Sequence, residues 1–246
     1  MMAGGGLAGA DTKPAVIEIR RFQLRNTPDN MRQKTSDFLK NSALPALARA
    51  GAGPVGVFGS SIAPDTPFLL TITSFPSLAA METIWDKLAA DKEYAAARQA
   101  YGSGPLGYVR METSLLRAFR TAPAIEVPTT DAKRASRIFE VRMYESNNTQ
   151  TLERKVEMFN SGEIAIFRKV GMTPVFFGQT IAGRNMPNLT YMLGYDDLAA
   201  REQAWKTFGG DPDWAKLRNT PGLNDAEIVS NISNYLVSPL PFSAIR

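Results

Sequence analysis

Apolar and polar residues alternate with period two over residues 16–24, the pattern of a strand. Over about 30–50 the apolar positions recur every three to four residues, as in an amphipathic helix, and Gly51 follows as a left-handed cap. Pro45 lies inside that helix and is expected to kink or divide it. Period two returns over 54–62 and 67–75, joined by the turn residues Ala63, Pro64, Asp65 and Thr66. A second amphipathic stretch over about 77–99 and a strand over about 109–119 complete the series. The series then runs again: strand 137–144, helix about 149–170 ending at Gly171, and strands 174–182 and 189–195. A helix over about 197–208, a further turn near 214–218 and a strand over about 227–237 close it.

The second pass is a copy of the first. Val16-Ile17-Glu18-Ile19-Arg20-Arg21-Phe22 recurs as Ile138-Phe139-Glu140-Val141-Arg142-Met143-Tyr144. Gly51 and Pro54 recur as Gly171 and Pro174, Leu78 and Trp85 as Leu198 and Trp205, Asp91 and Tyr94 as Asp211 and Trp214. The stretch 121–134, rich in Ala, Pro and Thr, reads as a linker between a half at 15–120 and a half at 135–246, with 1–14 as a disordered tail or signal remnant. Each half has the βαββαβ order of a ferredoxin-like fold, whose helices cover one face of the sheet. The uncovered face needs a partner, and two halves packed sheet to sheet supply it. The expectation is an α+β protein, a barrel of two tandem halves within one chain.

Composition narrows the chemistry. The 246 residues are 44% hydrophobic and 21% charged, so the chain is globular, with no apolar run long enough to span a membrane. It contains neither Cys nor His, which removes disulfides, thiol catalysis, thiolate zinc sites, His general-base triads and His-ligated haem. Net charge is +4, but the basic residues are scattered, with no cluster that marks a nucleic-acid surface. Ala8-Gly9-Ala10 has the form of an export cleavage site, so the expectation is an exported or periplasmic protein if 1–14 is a signal remnant, and a cytoplasmic one otherwise. The glycine patterns at 4–9 and 51–56 lack the strand-then-helix context of a dinucleotide site. Asp91 and Asp211 read as helix caps, and the pairs Asp196-Asp197 and Asp211-Pro212-Asp213 as surface caps, so no metal site and no cofactor is expected.

Several strings point further. They are Arg137–Glu145 around Glu140, Lys155–Glu163, Phe167–Gly171, Asn188–Leu198 with Arg201, Glu202 and Trp205, Asp211–Trp214 and Pro239–Ser243. Together they resemble the NIPSNAP family, and Leu44–Leu47 with Gly51 and Pro54–Phe58 looks like a bacterial, tandem-domain branch of it. The resemblance covers nearly the whole chain from about Val16. It implies the dimeric α/β-barrel superfamily, which also holds cofactor-free monooxygenases and haem enzymes. NIPSNAP proteins have no settled enzymatic activity; in animals they are linked to mitochondria, vesicle transport and removal of damaged mitochondria. The family's strand motif often has His where this chain has Tyr191, so no His-dependent role transfers.

The candidate ligand-binding residues are Glu18, Arg20 and Phe22 with Glu140, Arg142 and Tyr144, because alternation places each trio on one side of its strand. Charges inside a barrel need each other or a ligand. One reading is a polar pocket for a small anionic or aromatic, quinone-like ligand. The other, favoured by the residues alone, is an internal ion-pair network that joins the halves. Trp85, Trp205, Tyr94 and Trp214 read as core aromatics. No catalytic constellation stands out. The expected function is therefore a small-molecule-binding or assembly module. Its alternatives are a cofactor-independent monooxygenase or isomerase on a small aromatic or quinone substrate, and a protein-interaction scaffold. Self-association is expected by analogy with the superfamily's dimers.

Overall fold

The computed structural model describes residues 13–129 and 136–246. The expected tail lies almost wholly outside the described residues, as does the end of the expected linker. The first half runs β1 (Val16–Gln23), α1 (Met31–Phe38), α2 (Leu44–Ala50), β2 (Val55–Ile62), β3 (Phe68–Phe75), α3 (Leu78–Ala90), α4 (Lys92–Gly102) and β4 (Arg110–Ala118). The second begins with β5 (Ile138–Ser146), α5 (Thr149–Met158), α6 (Ile164–Lys169), β6 (Thr173–Ala182) and β7 (Asn188–Tyr195). It ends with α7 (Leu198–Gly209), α8 (Pro212–Arg218), α9 (Asp225–Ile228) and β8 (Val229–Pro239).

Local chemistry explains where these elements start and stop. Ser77, Asp91, Asn148, Asp197 and Asp211 accept backbone N–H groups at the starts of α3, α4, α5, α7 and α8. Asp91 has extended backbone, ends α3 and caps α4, so the stretch expected as one helix over 77–99 is two. Gly51 closes α2 at φ 97°, and Gly171 follows α6 at φ 84°. The long helix of each half contains one turn of π-helix, at Leu39–Ala43 and at Phe159–Glu163. The second half has Ala165 where the first has Pro45, so the π turn belongs to the repeat and not to the proline. Pro45 sits in the first turn of α2, where a missing N–H costs little.

The eight strands form a closed antiparallel barrel in the order β1-β3-β2-β8-β5-β7-β6-β4. Four strands come from each half, and two short seams, β2 with β8 and β4 with β6, join them. Past each seam the exit segment takes over the edge: Phe119 and Glu126 donate to Phe177 and Val175, while Leu240 and Ala244 donate to Val57 and Val55. Both halves thus place their last residues against the other half.

The middle of the barrel interior is apolar. Ile17, Ile19, Phe58, Ile72, Phe139, Val141, Phe176, Met192 and Val237 pack across it, and the Phe58 and Phe139 rings meet edge to face at 5.3 Å. Each large side chain buried there stabilises the fold by about 2 kcal/mol. The charged faces of β1 and β5 therefore do not point into the barrel, as the sequence reading supposed. Glu18/Arg20/Phe22 and Glu140/Arg142/Tyr144 lie on the opposite side, between sheet and helices. None of the helices among the described residues is long and apolar enough to cross a membrane.

Candidate functional site

The two halves place the same Glu and Arg on the same face of equivalent strands and surround them differently. In the second half, Glu140 is fully buried and its carboxylate is crowded with donors. Oε1 accepts from Arg201 at 2.6 Å, Asn234 at 2.7 Å and Arg142 at 2.9 Å; Oε2 accepts from the Trp205 indole at 2.8 Å and Arg201 Nε at 3.0 Å. The Tyr195 hydroxyl stands at 3.4 Å from Oε2. Burial pushes the Glu140 carboxyl up, but the Arg201 hydrogen bond, the Arg142 charge and the Trp205 and Asn234 bonds outweigh it and hold it at about 2.

The network continues inward. Arg142 donates to the Tyr144 hydroxyl, which accepts from Tyr191 at 3.0 Å, and the Arg142 guanidinium lies 4.5 Å from the Trp205 ring centre. Burial raises both tyrosines above their ordinary range. Beyond them Lys155, fully buried, donates to Glu163 at 3.1 Å and Asp225 at 2.8 Å. Burial alone would lower this lysine; the charges of Glu163 and Asp225 reverse the direction and keep it cationic. Phe159, Phe167, Phe177 and Tyr191 fill the remaining volume with ring contacts between 5.2 and 6.1 Å.

The first half is open at the same place. A cavity of about 690 Å³ lies between its sheet and helices, with Glu18 and Arg20 on its floor. Differences between the copies fall at this place, Leu47 for Phe167 among them. Thr71 stands opposite Arg20 on the neighbouring strand, where Tyr191 stands opposite Arg142. Thr73 replaces Leu193, Leu39 replaces Phe159, and Ala43 replaces Glu163. Aromatic rings line the walls. Phe38 stacks on Tyr101 at 4.3 Å, Phe22 meets Tyr108 at 5.4 Å, and Tyr94 stands beside Phe38 at 6.1 Å. Trp85 is at the rim, 46% exposed. Arg98 is exposed on the lining, 5.8 Å from the Tyr94 ring centre.

All six residues singled out from sequence thus fall on the sheet–helix side, but in two separate places. Glu18, Arg20 and Phe22 line the cavity; Glu140, Arg142 and Tyr144 belong to the filled network. Trp85 and Trp205, read as core aromatics, border these two places, one at the cavity rim and one bonded to Glu140. Arg201 and Tyr195, which crowd Glu140 with Asn234, stood in the family strings but were not among the candidate site residues, and Asn234, Tyr101 and Tyr108 were not singled out at all. Comparing the copies position by position would have flagged Arg201, because Met81 stands in its place.

The sequence profile of the NIPSNAP family matches residues 17–123 and, a second time, 139–244. The chain belongs to the NIPSNAP family. It carries two NIPSNAP repeats, and they coincide with the two halves of the barrel. No curated protein matches the chain. Among solved structures, a Fusobacterium nucleatum protein provisionally named a monooxygenase is similar at TM-score 0.61 and 9% identity, over 93% of each chain. An anthrone oxidase-like protein is similar at TM-score 0.56 and 10% identity, over 94% of each chain. An uncharacterised NIPSNAP-like domain protein from Burkholderia xenovorans is 22% identical at TM-score 0.39, over 44% of this chain and 89% of its own. At these identities the two full-length likenesses show a shared fold. As a NIPSNAP protein of unassigned activity, the chain has to be read from its own site.

Proposed function

We propose that this NIPSNAP protein binds a small aromatic ligand in the cavity of its first half, and that the second half serves as the structural support. The observation that carries the reading is the contrast between the copies. One sheet–helix space is an aromatic-walled cavity of about 690 Å³, and its duplicate holds the buried rings of Phe159, Phe167, Phe177 and Tyr191 with the Lys155–Glu163 pair. A cavity of this size with a few convergent polar groups suits a small molecule. Phe22, Phe38, Tyr94, Tyr101 and Tyr108 offer ring faces, and Arg20 with Glu18 offers polar anchors at the floor.

The test is native mass spectrometry of the full chain purified from its own host, run beside Thr71→Phe. Phenylalanine there fills the floor as Tyr191 does in the other half. The expected result is a stoichiometric small molecule on the wild type and its loss from Thr71→Phe, with unfolding stability within about 1 kcal/mol of wild type. A ligand retained by Thr71→Phe would place binding elsewhere and overturn the reading.

A further inference from the structure

The filled half shows what the open half lacks. Glu140 accepts hydrogen bonds from Arg142, Arg201, Trp205 and Asn234, with Tyr195 close by. Its duplicate, Glu18, is almost as buried, at 5% exposure. Yet among the described residues one side-chain donor reaches it, Arg20 at 2.6 Å. The positions of the other donors have changed chemistry. Met81 stands in place of Arg201, Phe75 in place of Tyr195 and Thr113 in place of Asn234. Trp85 is still tryptophan, but its indole makes no hydrogen bond among the described residues and lies at the cavity rim. A buried carboxylate that lines a cavity has acceptor capacity left for a further N–H or O–H donor.

From this we infer that the ligand brings an O–H or N–H group to Glu18, taking the place that Arg201 takes in the second half. The ligand class is an aromatic carrying a hydroxyl or amino group, not an aromatic carboxylate. The inference rests on the cavity reading above. It goes further in assigning the polar end of the ligand and its direction: donor toward the sheet, ring between Phe22, Phe38 and the rim. The charge at the floor agrees, because Glu18 already neutralises Arg20 and leaves no unmatched cation there for a carboxylate. A hydroxyl could at once donate to Glu18 and accept from Arg20, so both anchors are used.

The experiment is isothermal titration calorimetry of the full chain at pH 7 with three probes of one shape: 2-naphthol, 2-methoxynaphthalene and 2-naphthoate. 2-Naphthol is expected to bind at least ten-fold more tightly than its methyl ether, which keeps the ring and loses the donor, and naphthoate is expected to bind more weakly still. Glu18→Gln should erase the preference for naphthol over the ether, and it conserves shape. Met81→Arg should install the donor that Arg201 provides and abolish naphthol binding, with circular dichroism confirming the fold. Equal binding of naphthol and its ether would overturn the donor inference and leave the cavity reading standing. Tightest binding by naphthoate would overturn it in favour of an anion site at Arg20 and Arg98. Binding of none of the probes by folded wild type would overturn both.

Discussion

Replacing Glu140 by Gln tests how the second half is held together. The carboxylate is fully buried and bonded to two guanidiniums, an indole and an amide. Its carboxyl is held at about 2 against an ordinary 4.5, a difference equivalent to about 3 kcal/mol of stability at neutral pH. Removing the charge leaves Arg142 and Arg201 without their counter-ion. Loss of one partner from a buried pair costs about 3–5 kcal/mol, and the 22% exposure of Arg201 points to the lower end, about 3 kcal/mol. The sign with pH follows from the lowered folded value. The contribution is fully present above the unfolded carboxyl's range and disappears as pH falls from about 4.5 toward 2. Urea unfolding of wild type and Glu140→Gln, followed by circular dichroism at pH 7, 5 and 3, should show a gap of about 3 kcal/mol that narrows at pH 3. A gap below about 1 kcal/mol at pH 7, or one that is the same at pH 7 and pH 3, would refute the reasoning. Glu18→Gln is the internal control. Among the described residues its carboxylate has one side-chain partner, an Arg20 side chain that is 31% exposed, so the loss should stay near 1 kcal/mol.

Further expectations come from the same geometry. Lys155→Met leaves Glu163 buried without its cation and should cost about 3–5 kcal/mol in urea unfolding. Adding Glu163→Leu should restore most of that, and a double mutant no better than the single would show that the pair is not coupled. Gly178→Ala places a Cβ 2.8 Å from Leu116 Cβ and 3.3 Å from the Arg117 carbonyl oxygen, at the seam between β4 and β6. Calorimetry should read a stability loss of about 1–3 kcal/mol, and an unchanged Tm would mean that the seam gives way without strain.

Much of the architecture was legible in the chain. The repeated Glu18/Arg20 and Glu140/Arg142 strings, the glycines at 51 and 171 and the alternation of the strands led to two halves packed sheet to sheet, and the strand order agrees. Which side of β1 and β5 faced the barrel was not legible. Ile17 and Phe139 on one side and Glu18 and Glu140 on the other are all buried, so exposure could not sort them. The Glu side lies under the helices, where Arg20, Arg142 and Arg201 can pair with the carboxylates, while Ile17, Ile19, Phe139 and Val141 meet apolar side chains inside the barrel. Asp91 was read as a cap, and it caps α4, yet 77–99 was read as one helix because the helical periodicity continues across it. The difference between the two sites lies in single substitutions such as Thr71 against Tyr191, which are silent until the copies are superposed in register.

The two seams carry a consequence for how such a site can arise. A barrel built from two identical chains repeats every substitution by symmetry: a tyrosine that plugs one space plugs its twin, and a threonine that opens one opens both. Here the halves are covalently one molecule, joined strand to strand at β2–β8 and β4–β6. Fusion frees each copy to mutate alone. One has gathered bulk and ion pairs, and the other has kept a hollow. The hollow beside Glu18 and the crowding around Glu140 are the two outcomes of that freedom, side by side in one barrel.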